Sequence, residues 1–353
     1  MNRTFACLVV VLAVALAPRV FAVGESVGGF PSYAERVQHE LTNRARVDPQ
    51  VEMLACGANC GEAACYTPRP PLGYRLELNR SARFHAAHMS KNGYLSNTSS
   101  CQLVVNIADL FPSQCDGSAS CACVGGIESC PCTSFSDRIS LFGSSANGSV
   151  IASAAGAEEA FYLWLFEPSA SSTCSFSVSN GHRFQLLTAS GGIGFGAEGG
   201  DFVGDFGNGG EQHKIPSGSH WPRQDTSVEA WANFSDSEGP NASLINVDGA
   251  CTPMSLQRGT PANGAYRATL SGVESGCHRY YFVFADSNDA IVTYPETGSL
   301  GIGPEGSCSD FSIDRQPLGA GCTVPEPVGA ACGAAALAAL VLLAGANTVE
   351  AHR

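Results

Sequence analysis

Two hydrophobic rhythms divide the chain. In "PSYAERVQHELTNRARVDP" (31–49), Tyr33, Val37 and Leu41 recur every fourth residue, an apolar stripe on a helix that Pro49 is expected to close. In "PPLGYRLELNRSARFHAAHMSKNG" (70–93), Leu78, Ala82, His85 and Met89 share one helical face, and Gly93 is the expected stop. Residues 94–148 read as loop. A third helix is predicted over about 150–167, ended by Pro168. In "SNGHRFQLLTASGGIGFGAEGG" (179–200), His182 and Arg183 stand before an apolar run read as a strand, Phe184–Leu187. A glycine turn, a second strand at Ile193–Phe195 and a third in "DFVGDFG" (201–207) follow. From "HKIPSGSHWP" to about residue 315 the segments become short and alternating, with turn residues between them, which predicts an antiparallel β-sandwich. The expected class is α+β, with a first domain over 23–212, a second over 213–315, and a Gly/Pro linker over 316–327.

The two ends read as targeting segments. Arg3 and the apolar "FACLVVVLAVALA" (5–17) form a secretory signal, with small residues before a cleavage point after Ala22. At the other end, "VGAACGAAALAALVLLAGA" (328–346) is long enough to span a bilayer and carries no charge. With the preceding Pro-Glu-Pro of "CTVPEP" (322–327), this end resembles the PEP-CTERM sorting tail of bacterial exported proteins, though its basic cluster is reduced to His352 and Arg353. That resemblance implies a protein sent to the cell envelope, tethered to the membrane through the tail helix, and a processing protease as partner. The plain alternative is a simple membrane anchor.

Charge and cysteines agree with export. Setting aside Arg3 and Arg19 of the signal, and Glu350 and Arg353 of the tail, leaves 31 acidic and 16 basic side chains, a net charge of −15. Such a surface repels phosphate backbones and excludes nucleic acid as a partner. Of 16 cysteines, Cys7 and Cys332 lie in the targeting segments, leaving an even 14 that read as disulfides in an oxidising compartment. Cys251 and Cys277 flank the central strands of the sandwich and are expected to pair. The stretch "CDGSASCACVGGIESCPC" (115–132) is read as a disulfide-stapled insertion rather than a metal cluster. Outside the signal, five Asn-x-Ser/Thr sequons, at Asn79, Asn97, Asn147, Asn233 and Asn241, are read as surface loops.

The ordered set "LTNRAR", "LNRSARFHAAHMSKNGYLSN", "AFYLWLFE" and "GHRFQLL…GIGFG" resembles the CAP superfamily: the cysteine-rich secretory, antigen-5 and pathogenesis-related-1 proteins and their bacterial SCP-like relatives. The resemblance covers roughly residues 30–210. It implies an α-β-α sandwich with a central cleft, followed here by an Ig-like sandwich of the kind some bacterial members carry. In many members two histidines and two glutamates of that cleft bind a divalent cation such as zinc. His182 and Glu167 match two of these positions, while Asn97 and Ser149 stand where the other histidine and glutamate belong. The implied cleft is thus Asn97, Ser149, Glu167, His182 and Arg183, with a degenerate metal tetrad, since zinc wants three or four such ligands. His85 and His88, one helical turn apart, are the weak replacement candidates. His182 is expected to hydrogen-bond Glu167, and Arg183 to pair with an acid.

Two catalytic patterns lack their context. "GESVG" (24–28) fits G-x-S-x-G with no strand before it, and "GIGPEG" (301–306) fits a dinucleotide loop with no helix after it. An enzyme built on the cleft would use Glu167 and His182 as acid and base with Ser149 or Ser99 as nucleophile. The leading expectation is a non-enzymatic binding module for a small apolar, lipid or envelope ligand. A protease- or esterase-like hydrolase and an adhesin-like spacer are the alternatives.

Overall fold

The computed structural model describes residues 30–111, 113–122, 131–168, 174–319 and 321–322. The signal (1–22), its cleavage point and the apolar tail (328–346) lie outside the described residues. No helix among those described is long and apolar enough to cross a membrane.

Eight α-helices are described: α1 (Tyr33–Val47), α2 (Pro49–Glu52), α3 (Leu76–Asn92), α4 (Ile107–Leu110), α5 (Ala119–Ala122), α6 (Phe135–Leu141), α7 (Ala157–Leu165) and α8 (Gly181–Thr188). Four strands, β1 (Gly73–Tyr74), β2 (Ala146–Ser153), β3 (Gly192–Glu198) and β4 (Asp201–Gly207), form a sheet in the order β1-β3-β4-β2. Helices cover both of its faces. Val150, Ala152, Phe195, Phe202 and Phe206 point into one core with Val37 and Leu41 of α1, Phe161 and Trp164 of α7, and Leu186 of α8. On the opposite face, Val203 and Ile151 meet Ala82, Ala86 and Met89 of α3.

The glycines of "GIGFG" explain how closely α3 lies on β3. A Cβ on Gly194 would sit 1.9 Å from the backbone nitrogen of Asn79, and one on Gly196 would sit 2.2 Å from that of Arg83. Only residues without a side chain let the helix backbone descend onto this strand. At the other end of α3, Gly93 takes the left-handed conformation (φ 66°) and donates to Met89 O, closing the helix where expected.

Three local expectations give way. Residues 150–153 are not helical: they end β2, paired antiparallel to β4 through Val150–Gly204, Ile151–Val203 and Ala152–Phe202. The β-branched Val150 and Ile151 suit a pleated surface, and α7 starts only after Gly156. Phe184–Leu187 is not a strand but part of α8, whose buried residues Arg183, Leu186 and Leu187 fall at i, i+3 and i+4. Residues 94–148 hold α4, α5, α6 and the start of β2, with an antiparallel bridge between Ser99 and Thr133.

Ten further strands build two sheets. The first has the order β5-β6-β10-β9, using β5 (Ser217–Trp221), β6 (Ser227–Ser235), β9 (Ser255–Thr260) and β10 (Asn263–Ser271). The second has the order β14-β13-β11-β7-β8, with β12 also on β11. It uses β7 (Ala242–Val247), β8 (Ala250–Pro253), β11 (His278–Ala285), β12 (Ile291–Tyr294), β13 (Ser299–Ile302) and β14 (Phe311–Ser312). Ala230, Ala232 and Phe234 of the first face Tyr280, Phe282 and Phe284 of the second across one core.

The disulfide expected between Cys251 and Cys277 is not made. Cys251 bonds Cys322, and Cys277 bonds Cys308, at Cα–Cα distances of 4.9 and 5.2 Å. Cys251 lies in β8 at the sheet edge, where the segment read as a linker returns to meet it. Cys277 enters β11 beside the turn that follows β13. Cys56–Cys60 and Cys65–Cys174 staple the loops beside the helix-covered sheet. Four such bonds are the chemistry of an extracellular, oxidising compartment.

Helix α1 packs against both the helix-covered sheet and the two-sheet sandwich. A capping box opens it, with Ser32 Oγ accepting from Glu35 N and Glu35 Oε2 accepting from Ser32 N. Its apolar stripe fills the first core, while its polar face lies on β5, β6 and β10. Asn43 donates to Ser217 Oγ (3.0 Å), and the Arg44 guanidinium lies 5.0 and 4.7 Å from the rings of Trp221 and Trp231. Phe30, just ahead of α1, belongs to the core of the sandwich. Two sequons are consumed by packing: Asn79 and Asn233 are wholly buried, and their amides donate to Phe195 O and to Glu40.

Candidate functional site

Residue 182 stands at the head of a helix, and Glu167 accounts for why. After α7 the chain turns so that the Glu167 carboxylate reaches the first turn of α8. Its Oε2 accepts from the backbone of His182 (2.9 Å) and Arg183 (3.5 Å), which would otherwise be orphan donors. The Asn180 side chain makes no such bond to α8, so Glu167 caps the helix from a distance and sits favourably at its positive end. Its Oε1 lies 3.3 Å from His182 Nδ1. Among the described residues Nε2 of His182 has no hydrogen-bond partner, and the side chain is 31% exposed.

Arg183 is a structural tie. Fully buried, it donates Nη1 to Glu62 Oε1 (2.6 Å), Nε to Leu165 O (2.7 Å) and Nη2 to Glu167 O. It therefore fixes the turn that carries Glu167 and ties it to the segment between Cys60 and Cys65. A buried pair of this kind holds only while both partners are present.

Asn97 and Ser149 are elsewhere. They meet around a second buried pair, Arg138 of α6 and Asp205 of β4, on the face of the sheet covered by α3. Arg138 donates to Asn97 O (2.9 Å), while Asp205 accepts from Ser149 Oγ (2.8 Å) and Ser81 Oγ (2.7 Å). Ser149 points to this face because its neighbours Val150 and Ala152 point to the other, as the alternation of a strand requires. The five expected cleft residues thus form two clusters on opposite sides of one sheet.

His85 and His88 join the second cluster. His85 Nε2 donates to Ser96 O (2.7 Å) and Nδ1 faces Ser99 Oγ (3.3 Å). His88 Nδ1 meets Tyr94 OH (2.7 Å), and Nε2 lies 3.6 Å from Cys101 Sγ. All four ring nitrogens have protein partners. Burial, with the Arg138 charge adding to it, holds His85 well below the usual histidine range and His88 at about 4.

These contacts decide how well a divalent cation fits. Glu167 uses one oxygen on backbone donors and the other on His182, Asn97 and Ser149 lie across the sheet, and His85 and His88 are occupied. Among the described residues no group of three or more His, Cys, Asp or Glu side chains is arranged to hold a metal. The residues present do not fit the zinc tetrad that the family resemblance implies, and no chemistry is routed through it.

Beside the Glu167 turn lies an open groove of about 570 Å³ along the outer side of α7. Tyr162, Leu163, Phe166 and Pro168 make its apolar wall, with Glu158 and Glu159 of the first turn at one end. Phe166 and Pro168, which flank Glu167 in the chain, line this groove, while the Glu167 carboxylate itself turns to the first turn of α8.

Sequence reasoning had not singled out Glu62, Arg138 or Asp205. The signals were faint: a lone acid inside the apolar alternation of "DFVGDFG", and an arginine on the inner side of a seven-residue helix. Comparison with protein-family models, curated proteins and solved structures finds no match for the chain.

Proposed function

We propose that the protein is an exported, envelope-tethered binding module of the CAP type, not a metal-dependent enzyme, and that the groove along α7 receives the apolar body of a small ligand. The supporting observation is the groove itself: its apolar wall of Tyr162, Leu163, Phe166 and Pro168 brackets in the chain the residue, Glu167, that orients His182, whose Nε2 has no hydrogen-bond partner among the described residues. Apolar lining with a few convergent polar groups is the usual composition of a small-molecule site. In this reading His182 Nε2 contacts the polar head of the ligand, and the stapled turns around Cys56–Cys60 and Cys65–Cys174 keep the site rigid.

The order of elements quoted above and the helix–sheet–helix layering support the CAP reading. The disulfides support an extracellular site of action. That Nε2, without a hydrogen-bond partner among the described residues, is also the one observation that favours a hydrolase, with His182 as general base. The serines first considered as nucleophiles do not help it, since Ser149 is bound to Asp205 and Ser99 faces His85 and Arg138.

Titration of the purified chain with a fluorescent fatty acid tests the proposal. Saturable uptake that is lost in Leu163→Asp and weakened in His182→Ala is expected. Equal uptake by wild type and Leu163→Asp would remove the groove from consideration. Turnover of an ester panel that disappears in His182→Ala would replace the binding module with the hydrolase.

A further inference from the structure

Cysteines 101 and 132 stand apart from the rest. Every other cysteine whose side chain is described is in a disulfide, whereas these two are free, Cys101 buried and Cys132 exposed. They are neighbours in space though 31 positions apart. The backbones of Ser99 and Thr133 exchange two hydrogen bonds (2.8 and 3.1 Å), and Leu103 N donates to Thr133 Oγ1 (2.9 Å). Residues 99 and 103 are thus both fastened to Thr133, with Cys101 midway between them in the chain. Cys132 is the residue next to Thr133. Cys101 Sγ is kept inside by His88 Nε2 at 3.6 Å, and the Cys132 thiol opens on a groove of about 420 Å³ lined by Leu103, Val105 and Leu141.

We propose that Cys101 and Cys132 are a thiol pair that closes into a disulfide, locking the base of the cysteine-rich insertion between them. A small disulfide reagent reaches Cys132 first, from the groove. The Cys132 thiolate attacks one reagent sulfur and releases the first thiolate. The Cys101 sulfur then attacks Cys132 Sγ and releases the second. Two electrons pass from the cysteine pair to the reagent, and the two cysteine protons leave on the two released thiols. Closure requires the Cα atoms of residues 101 and 132 to come within about 7 Å of each other. The buried thiol is the slower partner, since burial raises Cys101 above the usual thiol range, with the nearby Cys132 adding to it.

The test uses the full purified chain, equilibrated with oxidised glutathione, alkylated with N-ethylmaleimide and digested without reduction. Peptide mapping is expected to find the Cys101 and Cys132 peptides joined, with both thiols lost together. In Cys101→Ser, Cys132 is expected to end as a stable mixed disulfide with glutathione. In Cys132→Ser, which changes only an exposed position, Cys101 should remain a thiol. If wild-type Cys132 carries glutathione while Cys101 is still alkylated, or if either cysteine is bonded to a third, the pair does not exist.

Discussion

Replacing Glu40 by glutamine tests the contact between α1 and the sandwich. Glu40 lies on α1, wholly buried, with Oε2 accepting from Asn233 Nδ2 (2.6 Å) and Ser217 Oγ (3.1 Å), and with Oε1 unpartnered. Burial dominates its titration and raises it from 4.5 to about 8, against the smaller opposing pull of Arg44 and the two hydrogen bonds. The folded chain therefore holds a proton there, between pH 4.5 and 8, that the unfolded chain has lost. With more protons bound to the native state, stability falls as pH rises through that window, by about 1.4 kcal/mol per pH unit for one group. The shift sets an upper figure of about 5 kcal/mol by pH 8, after which the effect levels off. Glutamine fills the same space, stays neutral and removes this slope. The buried His39 and His220, held by burial at about 4 and about 3, tilt the curve the other way in acid, so the comparison must be a difference. Denaturant unfolding of wild type and Glu40→Gln from pH 5 to 9 supplies it. The variant is expected to match wild type at pH 5 and to exceed it by several kcal/mol at pH 8. Parallel curves would mean that Glu40 is charged in the fold and that the interface argument fails.

Other expectations follow from single contacts. Arg183→Met leaves the Glu62 carboxylate buried without its partner and should cost about 3–5 kcal/mol in the same unfolding assay. Gly194→Ala places a methyl group 1.9 Å from Asn79 N, so α3 must lift from β3; loss of soluble folded protein is expected, and a folded variant with unchanged melting temperature would contradict the close approach. In isothermal titration with zinc, wild type should bind no more tightly than His182→Ala, because the Glu167 oxygens are already engaged. Micromolar binding that the mutation abolishes would restore the metal reading.

Much of the layout is local and so was legible along the chain. The stripe Tyr33–Val37–Leu41, the Gly93 stop and the strands at 193–195 and 201–207 depend on neighbours three or four residues away, or on alternation within one segment. The short strands after Gly210 were legible for the same reason. Where the reading failed, a distant partner decided the outcome. Val150 and Ile151 sit in an ambiguous apolar run until β4 pairs with them. "HRFQLL" becomes a helix when Glu167, fifteen positions away, caps it. Cysteine pairing could not be read because Cys251 had Cys277 and Cys322 to choose between, and only the fold of the sheet edge brings one of them within reach. The split of the expected cleft has the same origin. Sequence order places Ser149 beside Val150, but a strand sends adjacent side chains to opposite faces, and which face meets α8 and which meets α3 is settled only when the sheet is enclosed between its helices. Residue types and local periods determined what each segment could be; tertiary packing, through partners far apart in the chain, determined which of those possibilities it became.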